Sequence, residues 1–176
     1  MRRLCFILLL AGVLTPAALA YHRAAGDGTI SAKAVSGTVT IRARGAIWGQ
    51  IGSGQSEDLS VITVVDRDPT DGLAPRVSNY TVKTVGPAAN TTTYAGSNLH
   101  FQIAGGSYRL DLSGAKISFS AVGIGQVRFL PSTGIAPGWY AVGDDDWQPV
   151  PYEPAIALAP WIAFPDTATT TTTTNP

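Results

Sequence analysis

The residues of this chain best suited to recognise a ligand lie near its C-terminal end. Trp139, Tyr140 and Trp147 stand close together in the sequence, beside the acidic triplet Asp144–Asp146. Such a group can hold a sugar ring, because the ring stacks on aromatic faces while carboxylates accept hydrogen bonds from hydroxyls. Tryptophan and tyrosine are also common core and edge residues of β-sandwiches, and that alternative stays open. We take Trp139, Tyr140 and Trp147 as the candidate ligand-binding residues.

Catalytic motifs are missing from the sequence. The two histidines, His22 and His100, belong to no G-x-S-x-G turn and no two-histidine metal motif. The two glutamates, Glu57 and Glu153, stand in no context typical of a glycosidase carboxylate pair. The single cysteine, Cys5, precedes the expected mature chain. We therefore expect no enzyme, no catalytic residue, no metal site and no cofactor. A hydrolase that brings His100 to a carboxylate is the weaker alternative.

Two acidic clusters raise the question of calcium. Asp66, Asp68 and Asp71 approach the D-x-D-x-D-G pattern of a calcium loop, but one extra residue shifts the register. No glutamate follows at the bidentate position. Asp144–Asp146 has no loop pattern at all. Solvated acidic turns are the default interpretation of both clusters.

The pentapeptide Leu130-Pro131-Ser132-Thr133-Gly134 matches the LPxTG pattern that sortases cleave. A sorting signal also needs an apolar span and a basic tail directly after the motif, and neither follows here. We interpret the pentapeptide as a proline-containing turn between two strands.

Short β-strands are the elements that must position these residues. Between Asn98 and Phe129, apolar and polar residues alternate, which is typical of antiparallel strands with one buried face and one wet face. Glycines at Gly105-Gly106, Ser113-Gly114 and 123–125 predict hairpin turns. The predicted buried residues are Leu99, Phe101, Ile103, Tyr108, Leu110, Leu112, Ile117, Phe119, Ala121, Val127 and Phe129.

The same pattern covers most of the chain. It predicts strands at 36–44, 47–51 and 58–65, an edge strand at 77–85 and a closing strand at 139–142, with a polar connection at 86–98. We predict an all-β fold, an antiparallel β-sandwich or flattened barrel of nine or ten short strands.

An internal repeat is visible in this pattern. Gly37–Ala46 aligns with Gly106–Ala115: each segment reads glycine, hydroxyl residue, alternating apolar and polar residues, then Gly-Ala. The alignment predicts two copies of one hairpin that share an interior. Chance similarity between two low-complexity β segments is the alternative.

Composition divides the chain into four segments. Residues 1–20 carry two arginines, an apolar run and small residues, the pattern of a cleavable secretory signal; a retained anchor is the alternative. Residues 21–147 form the β domain, residues 148–165 a proline-rich apolar segment lying along it, and residues 166–176 a disordered threonine-rich tail. The chain holds 12 basic and 12 acidic residues. Removal of the signal leaves a net charge near −2, so we expect no nucleic-acid partner.

The run from Leu99 to Phe129, followed by Gly-Trp-Tyr-Ala-Val-Gly at 138–143, resembles small secreted bacterial β proteins of unknown function, of actinobacterial type. The resemblance covers residues 35–65 and 98–143. A weaker likeness is to bactofilins, against which the secretory signal and the long loops argue. The resemblance implies an exported, non-catalytic protein of the cell envelope with a structural or interaction role. The alternative is a module that binds carbohydrate or a small ligand. The expected partners are a cell-wall glycan or another envelope protein, without a membrane span in the mature chain.

Overall fold

The computed structural model describes residues 28–52, 59–71, 74–87, 90–152 and 155–158. These residues form strands, turns and extended segments, with no helix among them, so the all-β prediction is confirmed. The strands in chain order are β1 (Gly28–Gly52), β2 (Ser60–Asp66), β3 (Arg76–Val85), β4 (Thr91–Ile103), β5 (Ser107–Pro131), β6 (Trp139–Val142), β7 (Gln148–Pro149) and β8 (Ile156–Ala157).

Four of these strands close into a barrel. β1 pairs with β5, β5 with β2, β2 with β4, and β4 returns to β1, always antiparallel. β3 extends the sheet beyond β4, β6 and β7 extend it beyond β1, and β8 adds to β5. Closure pairs the backbone groups of the ring with one another, which makes the barrel a stiff platform for the side chains on its outside.

β1 and β5 are long enough to pair with each other twice. One pairing runs from Gly28 opposite Gly123 to Arg44 opposite Ser107, and the other from Gly37 opposite Pro131 to Gly52 opposite Ala115. Residues 37–44 of β1 therefore have β5 on both edges. A strand has only two edges, so β5 must bend around β1 to reach the second one.

The close approach of Gly45 and Gly123 permits this bend. The two residues are directly paired, and their φ angles are +149° and +146°, a region that side chains other than glycine rarely adopt. A Cβ on Gly45 would overlap the carbonyl oxygen of Val122, and one on Gly123 would overlap that of Arg44. Glycine is required at this corner because two backbones touch there.

Two of the predicted hairpin turns are wrong. β5 runs unbroken through Ser113-Gly114 and through residues 123–125, because glycine there bends the strand without reversing it. Gly105-Gly106 does turn the chain, between β4 and β5, with Gly106 at φ +85°. The count of nine or ten short strands is not confirmed, since β1 and β5 are 25 residues each.

The repeated segments are not hairpins, but they do meet. Ile41 and Leu110 occupy equivalent positions in the repeat and pair directly with each other. Pairing then spreads outward from them, with Thr38 opposite Ser113 and Arg44 opposite Ser107. Two equivalent segments paired about their common centre have the arrangement that a local pseudo-twofold axis produces. The repeat thus corresponds to two copies that share one interior.

The predicted apolar faces form the core. All eleven residues predicted as buried between Leu99 and Phe129 are buried, together with Val39, Ile41 and Ala43 of β1. The Phe119 and Phe129 rings stack at a centroid distance of 6.4 Å. Full burial of such side chains contributes about 1.5–3 kcal/mol each, so this core is the main source of stability.

The outer strands match the sequence prediction less closely. β3 is an exposed edge strand, as expected, and β6 has the expected bounds. Thr91–Asn98 was expected in a connection but belongs to β4, because β-branched threonines favour strands even when the stretch is polar.

Within the proline-rich segment, Val150 and Leu158 are buried, and Leu158 donates a backbone hydrogen bond to Gly125 at 3.0 Å. The described part of this segment therefore packs along the domain. The predicted signal (1–20), residues 153–154 and 159–165 of the segment, and the tail (166–176) lie outside the described residues.

Candidate functional site

A groove of about 580 Å³ opens on the outer side of β1, β3, β4 and β5. Its polar side chains come from strand positions that alternate with core residues, so they point away from the interior. We call this surface the Trp48 groove, defined by Trp48, Gln50, Arg76, Ser78, His100, Gln102, Ser118 and Ser120.

Strand register arranges these side chains in two rows across the sheet. The first row is Ser120, Trp48, Gln102 and Arg76. The second row is Ser118, Gln50, His100 and Ser78. Neighbouring strands are about 4.8 Å apart, so each row extends over about 14 Å. The groove is thus long enough for a ligand larger than one sugar ring.

The lining suits a ligand rich in hydroxyl groups. The Trp48 side chain is 50% exposed, and no described residue makes a ring or cation contact with it. Gln50, Gln102 and Ser78 can each donate and accept hydrogen bonds, as sugar hydroxyls do. Arg76 is the one Lys or Arg among the described lining residues. The surface therefore combines an open aromatic face with mostly uncharged hydrogen-bonding groups.

Local structure holds the groove walls in place. On one side, the hydroxyls of Ser31 and Ser120 share a hydrogen bond of 2.9 Å between β1 and β5. On the other, β3 and β4 bend together at Asn79 (φ 63°) and Asn98 (φ 54°). Asparagine tolerates this left-handed conformation better than most residues. The side-chain amide of Asn79 donates a hydrogen bond to the backbone carbonyl of Asn98 at 3.0 Å, so the two bends contact each other directly.

The three residues predicted to bind a ligand lie at the β6 edge and do not share a face. Tyr140 packs against the core, with its ring 6.0 Å from that of Phe129. Trp139 is 46% exposed, opposite Lys33 of β1. Trp147 is 42% exposed, with the Lys33 ammonium 3.9 Å from its ring centre. Only Trp139 and Trp147 are therefore available to a ligand, and one face of Trp147 is occupied.

The β6 edge and the Trp48 groove lie on the same outer side of the sheet. Lys33 and Ser31 alternate with buried residues of β1 and point outward, and Ser31 contacts Ser120 of the groove. Trp139 on β6 is separated from Trp48 by three spacings between neighbouring strands, which amounts to about 14 Å across the sheet. The predicted residues thus flank the groove without forming its centre.

Neither His100 nor the acidic clusters assemble a reactive centre in the described part of the chain. No carboxylate is among the residues that line the groove around His100. The Asp66 side chain accepts a hydrogen bond from the Asp68 amide at 2.9 Å, as in a simple turn. Among the described residues, no three His, Cys, Asp or Glu side chains are grouped to hold a metal.

Sequence reasoning missed the central residue of this site. Trp48 stands between Ile47 and Gly49 in a mostly apolar stretch, so it reads as part of a core strand. Its position one step out of phase with Ile47 and Ile51 was the available signal, because residues one apart on a strand point to opposite faces.

Comparisons with protein-family models, with curated proteins and with solved structures found no match. Across the described ranges, no helix has the length and apolar character needed to cross a membrane.

Proposed function

We propose that this chain is an exported, non-catalytic binding protein of the cell envelope, and that the Trp48 groove binds a short neutral glycan. The observation that carries the proposal is the half-exposed Trp48 ring, which stands in one of two neighbouring rows of mostly uncharged hydrogen-bonding side chains. Sugar rings present apolar C–H faces and hydroxyl edges, and this surface complements both.

The closed barrel supports a binding role. Its groove residues stand on paired strands, so little conformational entropy is lost when a ligand binds. A glycan seated on Trp48 could extend toward Trp139 and Trp147, which explains aromatic residues at both positions. We further propose that the barrel is flattened into a sandwich-like form, which would make the face that carries the Trp48 groove broad.

Export rests on the secretory pattern of residues 1–20 and on the resemblance to small secreted bacterial β proteins. A cell-wall glycan is one polymer that an exported protein of this kind would meet. The second candidate function, contact with another envelope protein, is favoured by the long exposed edge strand β3.

A glycan array screened with the full-length chain, followed by titration of the best neutral oligosaccharide, tests the proposal. We expect Trp48→Ala to lower affinity at least about tenfold, since a stacked tryptophan is a typical binding hot spot. Tyr152→Ala removes an exposed aromatic outside the groove and should leave affinity unchanged.

Full binding by the Trp48→Ala variant would overturn the assignment of the groove. If Trp139→Ala loses binding and Trp48→Ala does not, the glycan site lies at the β6 edge instead. A protein that binds no glycan but captures an envelope protein would favour the second candidate function.

A further inference from the structure

Two half-exposed tryptophans stand on the same outer side of the sheet, Trp48 in the groove and Trp139 at the β6 edge. Among the described residues, neither indole has an aromatic ring or a cation as a partner. An indole presents a large apolar face at little cost in conformational entropy, which is why tryptophan is a frequent binding residue. Both rings are therefore available to stack against a ligand.

Strand register sets the distance between the two rings. Trp48 is opposite Ser120 of β5, Ser120 is opposite Ser31 in the first half of β1, and that half of β1 pairs with β6. This path crosses three spacings between neighbouring strands, about 14 Å. Because backbone pairing fixes each spacing, the separation does not depend on flexible side chains. A single sugar ring stacked on one tryptophan does not reach the other.

The surface between the two rings is low. Its outward side chains at Ser31, Ser118 and Ser120 are short and partly exposed. They are also held in place: Ser31 and Ser120 share a hydrogen bond of 2.9 Å, and Ser118 accepts one from a backbone amide of β1 at 3.1 Å. The longer Lys33 side chain, opposite Trp139, has its ammonium 3.9 Å from the ring centre of Trp147. A ligand can thus cross the three serines from one ring to the other.

This arrangement suits a straight chain of sugars. Pyranose rings joined through equatorial bonds form an extended ribbon whose apolar C–H faces can stack on indoles. A chain with axial linkages curls, so it would lift away from the serines between the two rings. About four units of the straight chain span the about 14 Å between the tryptophans.

The side chains beside Trp48 indicate the substituent of the sugar. Gln102 is directly opposite Trp48 on β4, and Gln50 is two residues further along β1. A glutamine amide donates and accepts hydrogen bonds through neighbouring atoms, and an acetamido group does the same, so the two groups complement each other. An acetamido group is also uncharged, as the mostly uncharged lining of the groove requires.

We propose that Trp48 and Trp139 together bind one straight chain of equatorially linked N-acetylhexosamine units, which lies across the strands. This inference rests on the proposed function and adds the length, linkage and substituent of the glycan. Once the chain is stacked on Trp48, its contact with Trp139 is intramolecular, so affinity rises with chain length until both rings are covered.

Titration of the full-length chain with the di-, tetra- and hexasaccharide of the N-acetylchito series tests the proposal, with cellohexaose and maltohexaose for comparison. We expect the N-acetylated hexasaccharide to bind at least about tenfold more tightly than the disaccharide, and more tightly than either other hexasaccharide. Trp139→Ala should reduce hexasaccharide affinity to that of the disaccharide. It should leave disaccharide affinity unchanged, because a disaccharide stays on Trp48 beside the two glutamines; that unchanged affinity also shows that the variant is folded.

Two further variants sharpen the test. Ser31→Arg places a long side chain between the two rings and should weaken the hexasaccharide without affecting the disaccharide. Tyr152→Ala removes an exposed aromatic outside the groove and should bind every length like the parent chain.

Four results would count against the proposal. Equal affinity for disaccharide and hexasaccharide, or full hexasaccharide affinity in Trp139→Ala, would overturn binding across both rings while leaving the glycan groove itself in place. Maltohexaose bound as tightly as the N-acetylated hexasaccharide would overturn the straight chain, and cellohexaose bound as tightly would overturn the acetamido assignment. Failure of every oligosaccharide to bind would instead overturn the proposed function.

Discussion

The Trp48 groove and the arginine face share two strands, β1 and β5, but differ in chemistry. The arginine face is the outward surface that carries Arg42, Arg44, Arg109 and Arg128. Residues 45–52 of β1 and 115–123 of β5 carry much of the groove, whereas residues 37–44, 107–114 and 124–131 carry the arginine face. The groove combines one open tryptophan with mostly uncharged groups. The arginine face has four guanidinium groups and no aromatic residue among its described outward positions.

The glycine corners explain how one strand serves both surfaces. At Gly45 the strand bends without ending, so the outward side chains before and after it belong to different parts of the barrel. Arg44 and Trp48 are close in sequence yet serve separate faces. A long bent strand can therefore present two chemistries that a short strand could not.

The largest effect should come from breaking the corner that both faces share. Gly45→Ala should destabilise the protein by about 3–5 kcal/mol, because the new Cβ meets the Val122 carbonyl in a backbone conformation already unfavourable for alanine. Gly134→Ala is the matched control, since Gly134 also has positive φ but no atom within 4 Å of the new Cβ; it should cost about 1 kcal/mol. Urea denaturation measures both, and equal costs would show that the corner is not tight.

Glycan binding should separate the two faces cleanly. Trp48→Ala should remove at least about 1.4 kcal/mol of glycan binding, the equivalent of a tenfold loss of affinity. Arg42→Gln with Arg109→Gln, on the other face, should leave glycan affinity unchanged. Calorimetric titration of each variant with the N-acetylated hexasaccharide provides the comparison. Weaker binding in both variants would mean that the glycan is not confined to the groove.

A smaller effect concerns the stability of the arginine face. Arg42→Gln should leave the free energy of unfolding unchanged or raise it by about 0.2–1 kcal/mol, because it relieves the repulsion with Arg109. Lys116→Gln, on another part of β5, gives no such relief. Thermal melts at low and high salt would show a difference that shrinks as salt screens the charges. A clear loss of stability in Arg42→Gln would indicate that Arg42 has a structural role.

The smallest effect should follow from removing Asp111, the one carboxylate on the described part of the arginine face. Asp111→Asn breaks the contact with Arg109, but both side chains are partly exposed, so the loss should stay below about 1 kcal/mol. Urea denaturation of the variant and the parent chain measures this difference. A clearly larger loss would mean that Asp111 stabilises the fold through more than this exposed ion pair.

Alternation was the part of the fold that the sequence predicted well. Leu110 and Leu112 are buried and Arg109 and Asp111 face outward, as the period of two requires. The glycines were correctly identified as points where the chain changes direction, but the sequence did not predict whether the strand turns back or only bends. Gly105-Gly106 turns the chain, whereas Gly114 bends a continuing strand. Both uses need the same freedom of φ, so the local sequence does not distinguish them.

The candidate sites were harder to predict, because they depend on neighbours distant in sequence. Trp139 and Trp147 were identified from their clustering, but Trp48 was not, since the residues around it come from strands far along the chain. Arg42 and Arg109 are likewise 67 positions apart and meet only through strand register.

The order of residues along this chain determined that it would form strands and which side of each strand would be buried, because both follow from the spacing of neighbouring side chains. It also recorded the repeat of Gly37–Ala46 in Gly106–Ala115. Only the tertiary structure decided that the repeated segments pair with each other, that two long strands bend to close a barrel, and that arginines and a tryptophan collect on separate faces. The reason is that pairing between distant strands depends on where the corners bend, and that is a property of backbone contacts across the whole barrel.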